Sequence, residues 1–322
     1  MQAILAVTIP FFALVLCGYL AAQHRVLPEA AIPGLNAFVL YFALPCLLFR
    51  FGLNTPLAQL LDPVVLAVYL LSALVIVAFT IAVTLSERVH LKDAAFGALV
   101  AAFPNTGFMG VPLLVALLGP AAAGPVISSV LADLLVTSSL CIALAQAHEA
   151  QGAGTRAALA KALKGALSNP LPWAIALGAL CAATGVELTG PPETVVRMLA
   201  DAATPVALFT IGAVLWRAGQ HAHTRTPPAQ FLPVAAIKLV LHPLLVFSLA
   251  LAARALGAPL SGFQLTVLTL AAALPSASNV SLLAERYGAD NGRVARIILA
   301  STIGAFVSFT LLAWLFGVDP RG

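Results

Sequence analysis

Apolar residues run in blocks of about twenty along nearly all of this 322-residue chain, and that pattern leaves few folds open. A run of roughly 17–25 apolar residues crosses the hydrocarbon core as a helix. In lipid, each backbone N–H and C=O must find its partner within the protein, which favours helices over open strands. Ten such blocks are present, at 3–22, 30–53, 63–86, 94–118, 122–146, 168–187, 194–216, 231–255, 262–285 and 293–316. The expected fold is an all-α membrane protein of ten transmembrane helices. Apolar residues make up 61% and charged residues 9%, against about a quarter charged in a soluble domain. The four cysteines lie inside apolar blocks with no CxxC or metal-ligand spacing, so they read as small packing residues. The first block lacks a basic leader, which marks it as a retained span.

The basic residues give orientation rather than a nucleic-acid surface. With the N-terminus outside, Arg25, Arg88, Lys92, Arg156, Lys161, Lys164, Arg217, Arg225, Arg286, Arg293 and Arg296 fall inside, and Arg50, Arg197, Arg254 and Arg321 outside. The excess on one face predicts both termini outside. Residues 147–167 form the longest polar connection and read as a cytoplasmic linker between 1–146 and 168–322.

Two blocks are interrupted in a way that a continuous helix in lipid does not tolerate. The fourth contains FPNTGFMGVPLL (103–114), and the ninth contains PSASN (275–279). A single proline of this kind is an ordinary kink. The pair, however, belongs to a repeat. ALPCLLFRFG (43–52) and ATPVALFTIG (203–212) share A-x-P-x-x-L-F-x-x-G, so blocks two and four match blocks seven and nine. A shift of five inverts the second half relative to the first, the signature of many secondary transporters with discontinuous helices. Broken backbone at membrane depth requires a protein or water-filled surround, and two matched breaks point to one shared cavity. Half-helices starting near Asn105 and Asn279 would then aim their positive N-termini at the midplane from opposite sides. That arrangement suits an anion. Pro104, Asn105, Thr106, Gly107, Pro275, Ser276, Ser278 and Asn279 are the candidate substrate-binding residues.

These segments, together with SNPLPWAIALGAL (168–180) and ALPSASNVSLLAERYG (273–288), resemble the auxin efflux carrier family, which includes plant auxin exporters and bacterial transporters of malonate and similar carboxylates. The resemblance covers essentially the whole chain, and the short centre is similar to the bacterial branch. It implies two inverted five-helix repeats with crossed broken helices, as in bile-acid symporters and Na⁺/H⁺ antiporter-like folds. It also implies a scaffold from spans 1, 2, 6 and 7 and a transport domain from spans 3–5 and 8–10, with elevator-like alternating access. Asn105 matches the family's carboxylate-binding asparagine just after the crossover proline; Asn279, four residues past Pro275, matches less closely. A homodimer through the scaffold helices and a bacterial inner membrane are the family's further expectations. The leading function is therefore secondary transport of a small organic anion, with a non-transporting carboxylate sensor as the alternative.

Ionisable residues within spans are costly and mark function by default. Asp133 lies on one helix face with Ser129 and Thr137, and reads either as a coupling H⁺ or Na⁺ site or as a structural carboxylate. His242 and Lys238 are further coupling candidates; the alternatives are a local polar contact for His242, and for Lys238 either snorkelling to the inner surface or pairing with a carboxylate. Arg197 and Asp201, four apart, read as an interfacial pair, and His221 with His223 are too sparse for a metal site. No cofactor is expected. GxSxG, HExxH and GxxxxGK[ST] are all absent from the sequence, which leaves no motif for an intramembrane hydrolase or an ATP-driven pump.

Overall fold

The computed structural model describes residues 1–147, 165, 167–220 and 226–320. Most of the 147–167 linker, His221 and His223 lie outside the described residues. The described chain is helical, with no strand and only two isolated backbone bridges, Ser86 with Val89 and Pro104 with Ser276.

Seven described helices are long and apolar enough to cross a membrane. We label them, in chain order with the shorter ones, α1 (Gln2–Gln23), α2 (Glu29–Asn54), α3 (Pro63–Thr84, in the span Leu57–Thr84), α6 (Pro120–Gln146), α8 (Pro191–Gln220), α9 (Pro228–Ala255) and α12 (Asn291–Leu315). Three shorter apolar helices are α5 (Thr106–Leu118), α7 (Pro170–Thr184) and α10 (Gly262–Ala272). Leu91–Ala102 (α4) precedes α5, and Asn279–Arg286 (α11) follows α10. The fourth and ninth sequence blocks are thus each two half-helices, α4/α5 and α10/α11, parted at the proline-containing breaks.

Helix ends follow local chemistry. Asp62 caps α3 by accepting from Val64 and Val65 N–H at 2.9 and 3.1 Å, and Ser261 with Gln264 forms a capping box at α10. Gln264 Nε2 also donates to Asp62 Oδ2 at 2.9 Å, tying these two starts together. The four π turns among the described residues are Val39–Ala43, Thr106–Gly110, Asp133–Thr137 and Ile237–Leu241. Three of them end two residues before a proline: Pro45, Pro112 and Pro243. A proline offers no N–H and crowds the carbonyl four residues back; widening the preceding turn by one residue relieves both.

Two helix pairs meet at glycine. A Cβ on Gly18 of α1 would lie 1.8 Å from Phe209 O of α8, and one on Gly212 of α8 would lie 1.8 Å from Val15 O of α1. In the same way, Cβ atoms on Gly52 of α2 and Gly178 of α7 would lie 2.5 Å from Ile175 O and 2.2 Å from Phe49 O. Backbones this close pack by dispersion without an intervening side chain, the contact that drives helix association in lipid. At the far side, Arg293 joins three helix starts: its Nε donates to Gln230 O and its Nη1 to Asp93 O, both at 2.9 Å. Gly97 leaves room for that guanidinium, since a Cβ there would sit 2.9 Å from Nη1.

The expected Arg197–Asp201 pair is not what the structure holds. Asp201 accepts instead from Arg50 Nη1 of α2 at 3.2 Å. A spacing of four along one helix says that two side chains can meet, but a neighbouring helix brought a competing donor.

Candidate functional site

The two breaks lie against each other. Asn105 N–H donates to Pro275 O at 2.8 Å, and Ala277 N–H donates to Phe103 O at 3.0 Å. The chain segments 103–105 and 275–277 therefore form a short antiparallel bridge centred on Pro104 and Ser276. Neither proline needs an N–H here, because both donors are other residues of the breaks, Asn105 and Ala277. The bridge uses donors and acceptors freed by the breaks, so the crossing satisfies its own main chain at depth.

Each half-helix after its break begins beside this crossing. Asn105 precedes α5, and α11 starts at Asn279. Of the opening amides, Thr106, Val280 and Ser281 N–H donate to Pro104, Ala277 and Ser278 O within the breaks, and both helix starts carry the positive end of the helix dipole. Pro104, Asn105, Gly107 and Asn279 line one small pocket at the crossing, closed by Phe103, Phe108 and Leu134. Asn105 is 2% exposed, and neither its Oδ1 nor that of Asn279 has a hydrogen-bond partner. A carboxamide can turn end for end, presenting either NH₂ or oxygen, so both side chains hold unused capacity toward this pocket.

The remaining candidates divide. Pro275 and Ser276 belong to the bridge, and the Ser276 hydroxyl lies 3.1 Å from Ser301 Oγ of α12, which also accepts from Ser276 N–H at 3.2 Å. Thr106 is fully buried with its hydroxyl 3.4 Å from Pro104 O, and Ser278 is buried at the α11 start. These residues shape the crossing; the two asparagines and Gly107 face its pocket.

A larger cavity of about 300 Å³ adjoins the crossing and shares Phe103, Phe108, Leu134 and Asn279 with it. Ser138, Ser139, Asn169 and Tyr41 add polar groups, and Arg286 with Tyr287 stands at the end of the bundle. Sequence reasoning did not single out Ser139, Asn169 or Arg286 as lining residues. The signal was weak: each is a common residue whose place in a wall depends on which helix stands opposite.

Asp133, Lys238 and His242 form a second cluster, each fully buried. Tyr69 OH of α3 donates to Asp133 Oδ2 at 2.7 Å, and Thr137 Oγ1 donates to Oδ1 at 3.2 Å. Lys238 Nζ donates to Ala272 O at 2.6 Å and lies 3.2 Å from His242 Nδ1. Snorkelling is thereby overturned for Lys238: α10 covers it, and its ammonium turns inward to the end of that helix. Ser129, on the same helix face as Asp133, gives its own hydroxyl to Val126 O at 2.6 Å. Tyr69 was missed in the sequence, although a phenol in mid-span is the kind of polar tip that seeks a partner.

Comparison with known proteins gives a consistent picture. Residues 3–313 match the family described as "Membrane transport protein". A protein of Rhizobium meliloti (strain 1021) named "Putative malonate transporter" is 29% identical, covering 98% of this chain and 96% of its own. "Uncharacterized transporter YfdV" of Escherichia coli (strain K12) is 24% identical over 96% of this chain and 95% of its own. An "Uncharacterized transporter" of Methanothermobacter thermautotrophicus is 29% identical over 92% and 93%.

Proposed function

Since the chain belongs to this membrane transport protein family, that of the auxin efflux carriers its motifs resemble, we propose that it is a secondary transporter of a small organic anion. The observation that carries this reading is the bridged crossing, with two half-helix N-termini and two unpartnered asparagine oxygens around one pocket. That pocket is about 10 Å³, room for about one water. The carboxylate is therefore placed at its junction with the 300 Å³ cavity, where Asn279 lines both and the half-helix starts offer a positive dipole end. Malonate is the first cargo to test, because one relative carries that name.

In this reading the ten sequence blocks are ten spans in two inverted repeats of five. The glycine contacts support that scheme: Gly18 and Gly178 are separated by the same 160 positions as Gly52 and Gly212. The α1–α8 pair and the α7–α2 pair are then pseudo-symmetric copies, spans 1 and 7 matching 6 and 2. They make up the scaffold and offer the surface for a homodimer. Spans 3–5 and 8–10, carrying the crossing and the Asp133 cluster, form the transport domain, which shifts against the scaffold to alternate access. The 300 Å³ cavity opens toward the inner face in the both-termini-outside orientation, across a bacterial inner membrane. H⁺ or Na⁺ is the coupling ion, with Asp133, Lys238 and His242 as its candidate residues.

The test is uptake of radiolabelled malonate into proteoliposomes, with succinate and indole-3-acetate as competitors, for wild type and Asn105→Ala. Losing one hydrogen bond to a charged group costs about 1.5–3 kcal/mol, so the mutant's apparent affinity is expected to fall about tenfold or more. Unchanged affinity in a monodisperse mutant would remove Asn105 from the site. Binding without flux in wild type would make the protein a carboxylate receptor.

A further inference from the structure

We propose that Lys238 serves as a built-in cation at the broken helix, standing where a coupling Na⁺ would bind, and that the coupling ion is a proton carried by Asp133. The inference rests on the transport reading above and specifies the ion behind it.

The half-helix α10 ends at Ala272, just before the break. Thr269, Leu270 and Ala271 O accept from the following Ala273 and Leu274 N–H, which leaves Ala272 O to a further donor, and this end carries the negative pole of the helix dipole. In discontinuous-helix transporters, such half-helix C-terminal ends and unwound carbonyls coordinate the coupling cation. Here the Lys238 ammonium already lies on that end, 2.6 Å from Ala272 O, with no exposure to the surroundings. A tethered cation in this place leaves a metal ion neither the oxygen nor the electrostatic incentive.

α3 brings Tyr69, α6 brings Asp133 and the buried Cys141, and α9 brings Lys238 and His242. α10 brings carbonyls and Thr269 but no ionisable side chain, and residues 297–315 of α12 contain none. α4 carries Lys92 and Asp93 only at its far end, where Asp93 is engaged with Asp290 and Arg293. With Lys238 charged and Asp133 ionised, the cluster is neutral. One proton added to Asp133 makes it singly positive, which offsets one carboxylate of the cargo moving on the same body through a low-dielectric barrier. The hydroxyls of Tyr69 and Thr137 both donate and accept, so they can serve the carboxylate in either protonation state.

Access and strain both point at Asp133. Its neighbour Leu134 and the nearby Ser138 line the 300 Å³ cavity, and Ser138 Oγ donates to Asp133 O at 2.7 Å. Asp133 thus adjoins the cavity wall along its own helix, and in the transport reading its proton is taken up from one side and released on the other when the site is carried across. The π turn at Asp133–Thr137 is also the one among the described four that does not precede a proline. No missing amide accounts for it, and π turns of that sort gather at functional positions.

The test uses wild-type and Asp133→Asn protein in proteoliposomes with radiolabelled malonate, a trapped pH dye, and imposed H⁺ or Na⁺ gradients, choline replacing Na⁺. With the membrane potential held at zero by equal K⁺ and valinomycin, since one proton leaves one charge of the malonate dianion uncompensated, one proton per malonate lets a gradient of about one pH unit hold about a tenfold accumulation. That accumulation should be indifferent to Na⁺ and accompanied by lumenal acidification beyond that of empty vesicles. In Asp133→Asn the ratio of uptake with and without the pH gradient should fall to one. Accumulation driven by a Na⁺ gradient in wild type, or pH-driven accumulation that survives in Asp133→Asn, overturns the proposal. Exchange of internal for external malonate by wild type needs no gradient; its absence overturns the transport reading and this inference together.

Discussion

Single side chains here are decided by what a neighbouring helix brings. Arg50 and Asp201 meet at 3.2 Å, with their side chains 39% and 69% exposed. Exposed pairs of that kind contribute about 0–1 kcal/mol, so Asp201→Asn should shift the thermal midpoint of purified protein very little. The two asparagines should behave otherwise. If Asn105 and Asn279 hold the same carboxylate, each alanine mutant should weaken malonate binding, and the double mutant should cost less than the sum of the two. Sites sharing one ligand are coupled; strict additivity in a binding isotherm series would place them on separate groups. Lys238 shows why such environments were not legible in the sequence. Counting residues along a span gives depth from one end, and depth placed Lys238 within reach of the inner surface. Whether α10 lies across the path is a tertiary fact, and no residue near Lys238 in the chain announces it.

At the scale of helices, the breaks were legible and their closure was not. Proline, glycine and asparagine within an apolar block identified 104–107 and 275–279, because helical backbone in lipid tolerates those residues poorly. That one break supplies the main-chain partners of the other is a long-range pairing with no local trace. The glycine contacts were half legible: Gly52 and Gly212 stood out within a repeated motif, whereas Gly18 and Gly178 looked like any small residue in a span. Their role yields a sharp expectation. Gly212→Ala puts a Cβ 1.8 Å from Val15 O, so α1 and α8 must part, and overpacking of this sort costs about 1–3 kcal/mol. Gly34→Ala on α2 meets nothing within 4 Å and removes a poor helix former, which is worth up to about 1 kcal/mol in the opposite sense. Thermal unfolding in one detergent should move the two mutants in opposite directions; a shared direction would contradict the glycine contacts.

For the whole molecule, the transport reading requires one body to move past another. Val214 of α8 and Leu282 of α11 line a common cavity of about 260 Å³ with Arg217 and Glu285, at the seam between the proposed scaffold and transport domain. Cysteines placed at 214 and 282, in a background freed of Cys17, Cys46, Cys141 and Cys181, should be joined by a reducible bifunctional thiol reagent. Uptake should stop on joining and return on reduction. Uptake that continues through a quantitatively cross-linked seam would rule out relative movement there.

The crossing at Pro104 and Ser276 also bears on what such a carrier can become. It is held by two main-chain hydrogen bonds, Asn105 N–H to Pro275 O and Ala277 N–H to Phe103 O, and main-chain bonds do not depend on which side chains surround them. Fastening and recognition are thus entrusted to different parts of the polymer. Residues such as Ser139, Asn169 or Leu134 on the cavity wall can be exchanged to suit a longer, bulkier or more greasy passenger while the fastening stays as it is. A library built on those wall positions, with the bridge untouched, is a direct route to retargeting the carrier.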